Sequence, residues 1–163
     1  LAFDRGPAVG EVTVAAVASS AGCPTCRAVR WIPAAPRERP ALTSPEAAAE
    51  VLVPALVGAD RERCLSAVVD TKHRLLAVVT SSIGSLDRTF MAPREILRDA
   101  LLHNAAALVL AHNHPSGDPE PSRDDEQVTR RLVRAGELVG VEVLDHLVVG
   151  GTRWVSLARR GIL

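Results

Sequence analysis

The chain has no tyrosine, two phenylalanines, two tryptophans and one methionine in 163 residues. Its core therefore cannot rest on aromatic stacking. It must rest on Val, Leu, Ile and Ala, and a hydrophobic fraction of 47% is enough for that. One domain is expected at this length, burying ~70% of its unfolded surface. Net charge is also missing, because 19 basic residues balance 19 acidic ones. That balance excludes a chain held to nucleic acid by bulk positive charge. Lys72 is the only lysine, so almost all the positive charge is arginine. No apolar stretch approaches the ~20 residues that span a bilayer. No signal peptide is visible, although the chain begins at Leu1 rather than methionine. A cytoplasmic location without membrane contact is expected. Three cysteines do not make a disulfide framework. Cys23 and Cys26 form half of a zinc signature with no second pair, and read as a plain loop pair. Cys64 reads as a small buried hydrophobe.

What is present is a mixture of strand and helix patterns. Glu11 to Ser19 reads as a strand, and Ala21 to Pro40 as loop with a short strand around Ala28 to Ile32. Thr43-Ser44-Pro45-Glu46 is a helix start, with a hydroxyl cap, an early proline and a glutamate three after Thr43. That helix is expected to stop near Val53, before Pro54. Cys64 to Asp70 and Leu75 to Thr80 form a hairpin, and Ser81 to Met91 reads as loop plus a short strand. A helix runs from Pro93 to about Asn104, and Ala105 to Ala111 is a continuous apolar strand suited to a central position. Ser122 to Gly140 is a helix, and Val143 to Leu157 a closing hairpin turned at Gly150-Gly151. The order lacks a strict βαβ rhythm. The expected fold is α/β of the α+β kind, a mixed sheet flanked by helices.

Chemistry concentrates from His112 to Asp125. Two histidines stand two apart at the end of the apolar strand, so both imidazoles project from one face. A loop rich in proline follows, then Ser122-x-x-Asp125 at a helix start. Two histidines and one carboxylate leave a tetrahedral Zn²⁺ one open position, the layout of a catalytic site. Plainer readings compete. The histidines could be satisfied polar residues at a strand end, and Ser122-x-x-Asp125 is close to a capping box. The helix stripe is read as Val128, Leu132, Ala135 and Val139. At ~100° per residue, Asp124 and Asp125 flank that stripe equally, so periodicity does not choose between them. Asp145-His146 lies in a late strand. Neighbours on a strand point to opposite faces, so both cannot serve one site, and a structural role is favoured. Arg130, Arg131 and Arg134 read as a solvated helix face.

His-x-His, seven residues, then Ser-x-x-Asp resembles the JAMM (MPN-plus, JAB) metalloprotease signature, with His112, His114, Ser122 and Asp125 at its four positions. Pro93-Arg94-Glu95-Ile96, Asn104-Ala105-Ala106-Ala107, His112 to Ser122 and Val143-Leu144-Asp145-His146 resemble the RadC branch more narrowly. The likeness runs from about Thr43 to Leu157 and is much weaker before it. It implies a cytidine-deaminase-like JAMM architecture at residues 43–163, with residues 1–42 as a strand-and-loop extension. It implies His112, His114 and Asp125 as zinc ligands, which leaves Asp124 facing solvent. The base in such enzymes is a glutamate just before a core strand. Glu62 fits that place, with Glu95 as competitor. Ser122 would support the oxyanion. The implied function is cleavage of a peptide or isopeptide bond by metal-activated water, on a protein or peptide partner such as a ubiquitin-like or small carrier protein. The alternative is a DNA-repair accessory acting through partners. Residues 1–40 show no helix-hairpin-helix region of the kind RadC-type chains carry, so strong nucleic-acid binding is not expected.

Overall fold

Leu108, Val109, Leu110 and Ala111 are apolar and fully or almost fully buried, as a strand covered on both sides must be. In the computed structural model they lie in the fourth of the six strands among the described residues. The structure describes residues 29–31, 39–84 and 91–163. The elements are β1 (Val29–Trp31), α1 (Pro45–Leu56), β2 (Arg63–Val69), β3 (Leu75–Ile83), α2 (Pro93–Leu102), β4 (Ala107–Asn113), α3 (Arg123–Val139), β5 (Glu142–Gly150) and β6 (Arg153–Ser156). They form one sheet of order β1-β3-β2-β4-β5-β6. Strand β4 runs antiparallel to β2 and parallel to β5, so the sheet is mixed and the fold is α+β.

The two faces of β4 face different layers. Ala107, Val109 and Ala111 pack with Leu52 and Leu56 of α1, whereas Leu108 and Leu110 pack with Ile96 and Leu97 of α2 and Leu132 of α3. By alternation His112 shares the face of Leu108 and Leu110, beneath α3. The site therefore forms where the central strand emerges from its core.

Several local expectations need correction. Ser44, not Thr43, caps α1, accepting from the Ala47 amide at 3.2 Å. The helix continues through Pro54 to Leu56. Pro54 is exposed, so its missing bond falls on the solvent face, while buried Leu52 and Leu56 hold the turn. The buried stripe of α3 is Asp125, Thr129, Leu132 and Gly136, whereas Val139 is exposed. The stripe was misread because half of it is polar. Strand β3 runs on to Ile83, longer than its hairpin reading. The strand expected at Glu11 to Ser19 and the pair Cys23 and Cys26 lie outside the described residues. Among the described residues no helix is long and apolar enough to cross a membrane.

Candidate metal centre

Strand β4 delivers the two histidines and the N-terminus of α3 delivers the carboxylate. His112 Nε2 lies 3.0 Å from His114 Nε2 and 3.2 Å from Asp125 Oδ1. His114 Nε2 lies 3.5 Å from Asp125 Oδ2. An ion ~2.0–2.1 Å from N and O donors at tetrahedral angles would set those donors about 3.3–3.4 Å apart. The three side chains stand close to that spacing, Asp125 through a different oxygen to each histidine, so their donor set suits a metal. Asp124 is exposed and Asp125 buried, which resolves the pair that periodicity left open.

Glu62 precedes β2, whose register pairs Cys64 with His112. It is half-buried, and one ligand atom each from Glu62, His112 and His114 lie within 4.8 Å of one another. Glu62 therefore belongs to the same cluster as the two histidines, which Asp125 approaches from α3. Glu95 is elsewhere, in the first turn of α2 and bonded to Arg98 at 2.7 Å.

Asn113, between the histidines, fixes the Glu62 segment. Its Oδ1 accepts the Arg63 amide at 2.8 Å, and its Nδ2 donates to the Arg61 carbonyl at 3.1 Å. Both residues flanking Glu62 are thus tied to β4 through one buried side chain.

Residues 42–162 match the family model described as RadC-like JAB domain. The chain belongs to that family. Similar proteins include a UPF0758 protein of Desulfitobacterium hafniense, 41% identical over 134 residues, 82% of this chain and 59% of that protein. Another, from Alcanivorax borkumensis, is 50% identical over 120 residues, 74% of this chain and 54% of that protein. The chain spans less than two thirds of the length of these relatives. In this RadC-like JAB domain His112, His114, Glu62 and Asp125 come together in one cluster that could hold a metal.

Ser122 is the N-cap of α3. Its Oγ donates to Asp125 Oδ2 at 2.6 Å, and its amide donates to the same oxygen at 2.7 Å. In return Ser122 Oγ accepts the Asp125 amide at 3.1 Å. The capping box is therefore present, and it aims the Asp125 carboxylate at the two histidines. Burial pushes the Asp125 carboxyl up, but hydrogen bonds from His112 and His114 outweigh it and hold the group well below the usual carboxylate range. The same contact with Asp125 raises His114 above the ordinary histidine value, against burial.

Each histidine is held from behind. His114 Nδ1 meets the Asp118 carbonyl at 2.8 Å. His112 Nδ1 meets Nε2 of His146 at 2.8 Å. That contact brings His146 up against a site residue. A β-bulge between Leu108 and Val109 of the β4–β5 pairing re-registers β5, so that Leu110 pairs with His146. His146 then turns to the α3 face. Asp145 points the other way, accepting from Ser156 Oγ and the Ala158 amide. The opposite-face argument holds, yet one of the two residues does reach the site. A buried histidine in an otherwise apolar strand was the available signal. Thr129, four residues after Asp125, carries no sequence signal that sets it apart from other polar helix residues.

The remaining candidates are accounted for. Cys64 is buried and free, and burial pushes its thiol pKa up. Arg130 pairs with Glu126 at 3.0 Å. Arg131 and Arg134 instead join Arg94 along a groove between α2 and α3.

Proposed function

We propose that the chain is a zinc-dependent hydrolase of peptide or isopeptide bonds, acting on a protein or peptide such as a ubiquitin-like or small carrier protein in the cytoplasm. The observation that carries the reading is the gathering of His112, His114 and Asp125, with the Glu62 carboxylate in the same cluster. A zinc ion held by those three residues supplies water activation and polarisation of the scissile carbonyl. Glu62 takes the proton from the attacking water and delivers it to the leaving amine. Its freedom from any ion pair in the described structure suits it to that work, whereas Glu95 is engaged by Arg98. Ser122 Oγ donates to the developing oxyanion, which requires the hydroxyl to rotate away from Asp125.

The second reading is a DNA-repair accessory that binds metal and acts through partners. Its support is the groove where Arg94, Arg131 and Arg134 gather. Metal analysis with a cleavage assay on an isopeptide-linked substrate separates the two. The hydrolase reading expects one zinc per chain and cleavage lost in Glu62→Gln. Stoichiometric zinc without cleavage of any peptide or isopeptide bond favours the accessory.

A further inference from the structure

A polar chain passes behind the metal triad through three elements. His112 Nδ1 lies 2.8 Å from His146 Nε2. His146 Nδ1 lies 2.6 Å from Thr129 Oγ1, which lies 2.6 Å from the Asp125 carbonyl oxygen. His112, Thr129 and His146 are completely buried. The chain thus joins one donor residue of β4 to the main chain of the donor residue of α3, by way of β5.

The last acceptor sets the direction of every bond. A carbonyl oxygen can only accept, and two oxygens at 2.6 Å need a proton between them. Thr129 has one hydroxyl proton, so that proton goes to Asp125. Thr129 Oγ must then accept from His146, which places a proton on His146 Nδ1. A buried imidazolium whose ring meets no carboxylate is costly, so His146 carries that one proton alone. Its Nε2 is bare and accepts from His112 Nδ1. His112 then has Nδ1 committed to His146, and Nε2 is the nitrogen it turns to His114 and Asp125, 3.0 and 3.2 Å away.

We propose that Thr129 and His146 are positioning residues that hold a proton on His112 Nδ1, so that Nε2 is the nitrogen His112 offers when a divalent metal arrives. The inference rests on the metal-site reading for its purpose, but the tautomer it assigns belongs to the protein alone. A plain alternative exists for the threonine, since a helix hydroxyl often bonds back to the carbonyl four residues earlier. That habit explains the contact to Asp125. It does not explain why the same oxygen sits 2.6 Å from a histidine that touches a ligand. His114 needs no such relay, because its Nδ1 meets a carbonyl directly at 2.8 Å.

The test has two arms, both on the full 163-residue chain. In the first, long-range proton–nitrogen correlation spectra of histidine-labelled wild type report the tautomers without and with zinc. The expected result is His146 protonated on Nδ1 and bare on Nε2 in both states. A proton on His146 Nε2 overturns the relay. In the second arm, zinc affinity is measured by chelator competition. Thr129→Val should bind zinc ~10–100-fold more weakly, the usual cost of losing a partner that orients a ligand. Thr129→Ser, which keeps the hydroxyl, should stay near wild type. Wild-type affinity in Thr129→Val, or an equal loss in both variants, overturns the proposal. If Thr129→Val fails to fold, the wild-type spectra still decide. If the wild type binds no zinc, the metal reading fails, and the tautomer of the metal-free protein still tests the relay.

Discussion

Removing the Asn113 side chain should loosen Glu62 while leaving the metal donors in place. Asn113 is buried and makes two hydrogen bonds to backbone flanking Glu62, at 2.8 Å to the Arg63 amide and 3.1 Å to the Arg61 carbonyl. Asn113→Ala leaves both groups without that partner. A typical neutral hydrogen bond contributes ~0.5–1.5 kcal/mol, so the pair is worth about 2 kcal/mol. At ~2–4 °C per kcal/mol for a domain of this size, Tm should fall by about 4–8 °C. Zinc content should persist, because His112 and His114 are oriented through their own Nδ1 contacts. Hydrolysis should fall more than zinc content, because the segment carrying Glu62 is no longer tied to β4. Thermal unfolding followed by circular dichroism, with metal analysis on the same samples, makes the check. An Asn113→Ala protein that melts with the wild type would refute the clamp. Loss of zinc together with the fall in Tm would refute the claim that clamp and donors are separable.

Other outcomes follow from the same geometry. Replacing His112 or His114 by Ala should abolish stoichiometric zinc, and full retention of zinc in His114→Ala, read by metal analysis, removes the assignment. Glu62→Gln should keep fold and metal and lose cleavage, whereas Glu95→Gln should stay active; the reverse pattern exchanges the two glutamates. Zinc affinity should weaken on acidification. Asp125 raises the His114 pKa above its ordinary 6.5, the proton competes with the metal, and the loss should begin above that value and approach tenfold per pH unit below the raised pKa, read by chelator competition. Gly150→Ala should also weaken zinc binding. A Cβ there would meet the Gly117 carbonyl oxygen at 2.6 Å and the Pro119 nitrogen at 2.5 Å, and so displace the loop whose Asp118 carbonyl orients His114. Duplex DNA should bind only in the non-specific range, ~10⁻⁴–10⁻⁶ M at physiological salt. Nanomolar binding lost on neutralising Arg94, Arg131 and Arg134 would favour the accessory reading.

His112 and His114 were legible from their spacing of two on a strand, whereas Asp125 was legible only through the Ser-x-x-Asp resemblance, because periodicity left Asp124 beside it. The strands of the β2–β3 and β5–β6 hairpins were legible because their apolar runs are broken by turn residues. What was not legible is polar burial. A wheel weighted by hydrophobicity rotates α3 wrongly, because Asp125, Thr129 and Gly136 face the sheet for reasons other than hydrophobicity. Gly136 is there because a Cβ would come within 2.3 Å of the Val141 carbonyl oxygen. The β-bulge that turns His146 toward α3 has no hydrophobic signature either. Asn113 shows the same limit. Its position between two histidines suggests a spacer, and only the register of β2 against β4 brings its amide to residues 61 and 63.

The mixed sheet explains why the site gathers where it does. Strand β4 has an antiparallel neighbour on one side and a parallel neighbour on the other. The antiparallel partner begins where β4 ends, so the segment before β2, with Glu62, lies beside His112 and His114. The parallel partner ends where β4 ends, so Gly150 and the turn after it lie against the loop carrying Asp118. Helix α3 leaves that loop and returns across the sheet, so its first turn, with Asp125, lies over the same strand end. An all-parallel sheet would start its neighbouring strands at the far end and could not bring the Glu62 segment alongside. The antiparallel β2–β4 pair is therefore the part of the architecture that brings Glu62 beside His112 and His114. A change that slips its register by one residue would turn Cys64 and Ser66 to the opposite face and draw Glu62 away. Such a variant should keep zinc, whose donors come from β4 and α3, while losing any chemistry that depends on Glu62.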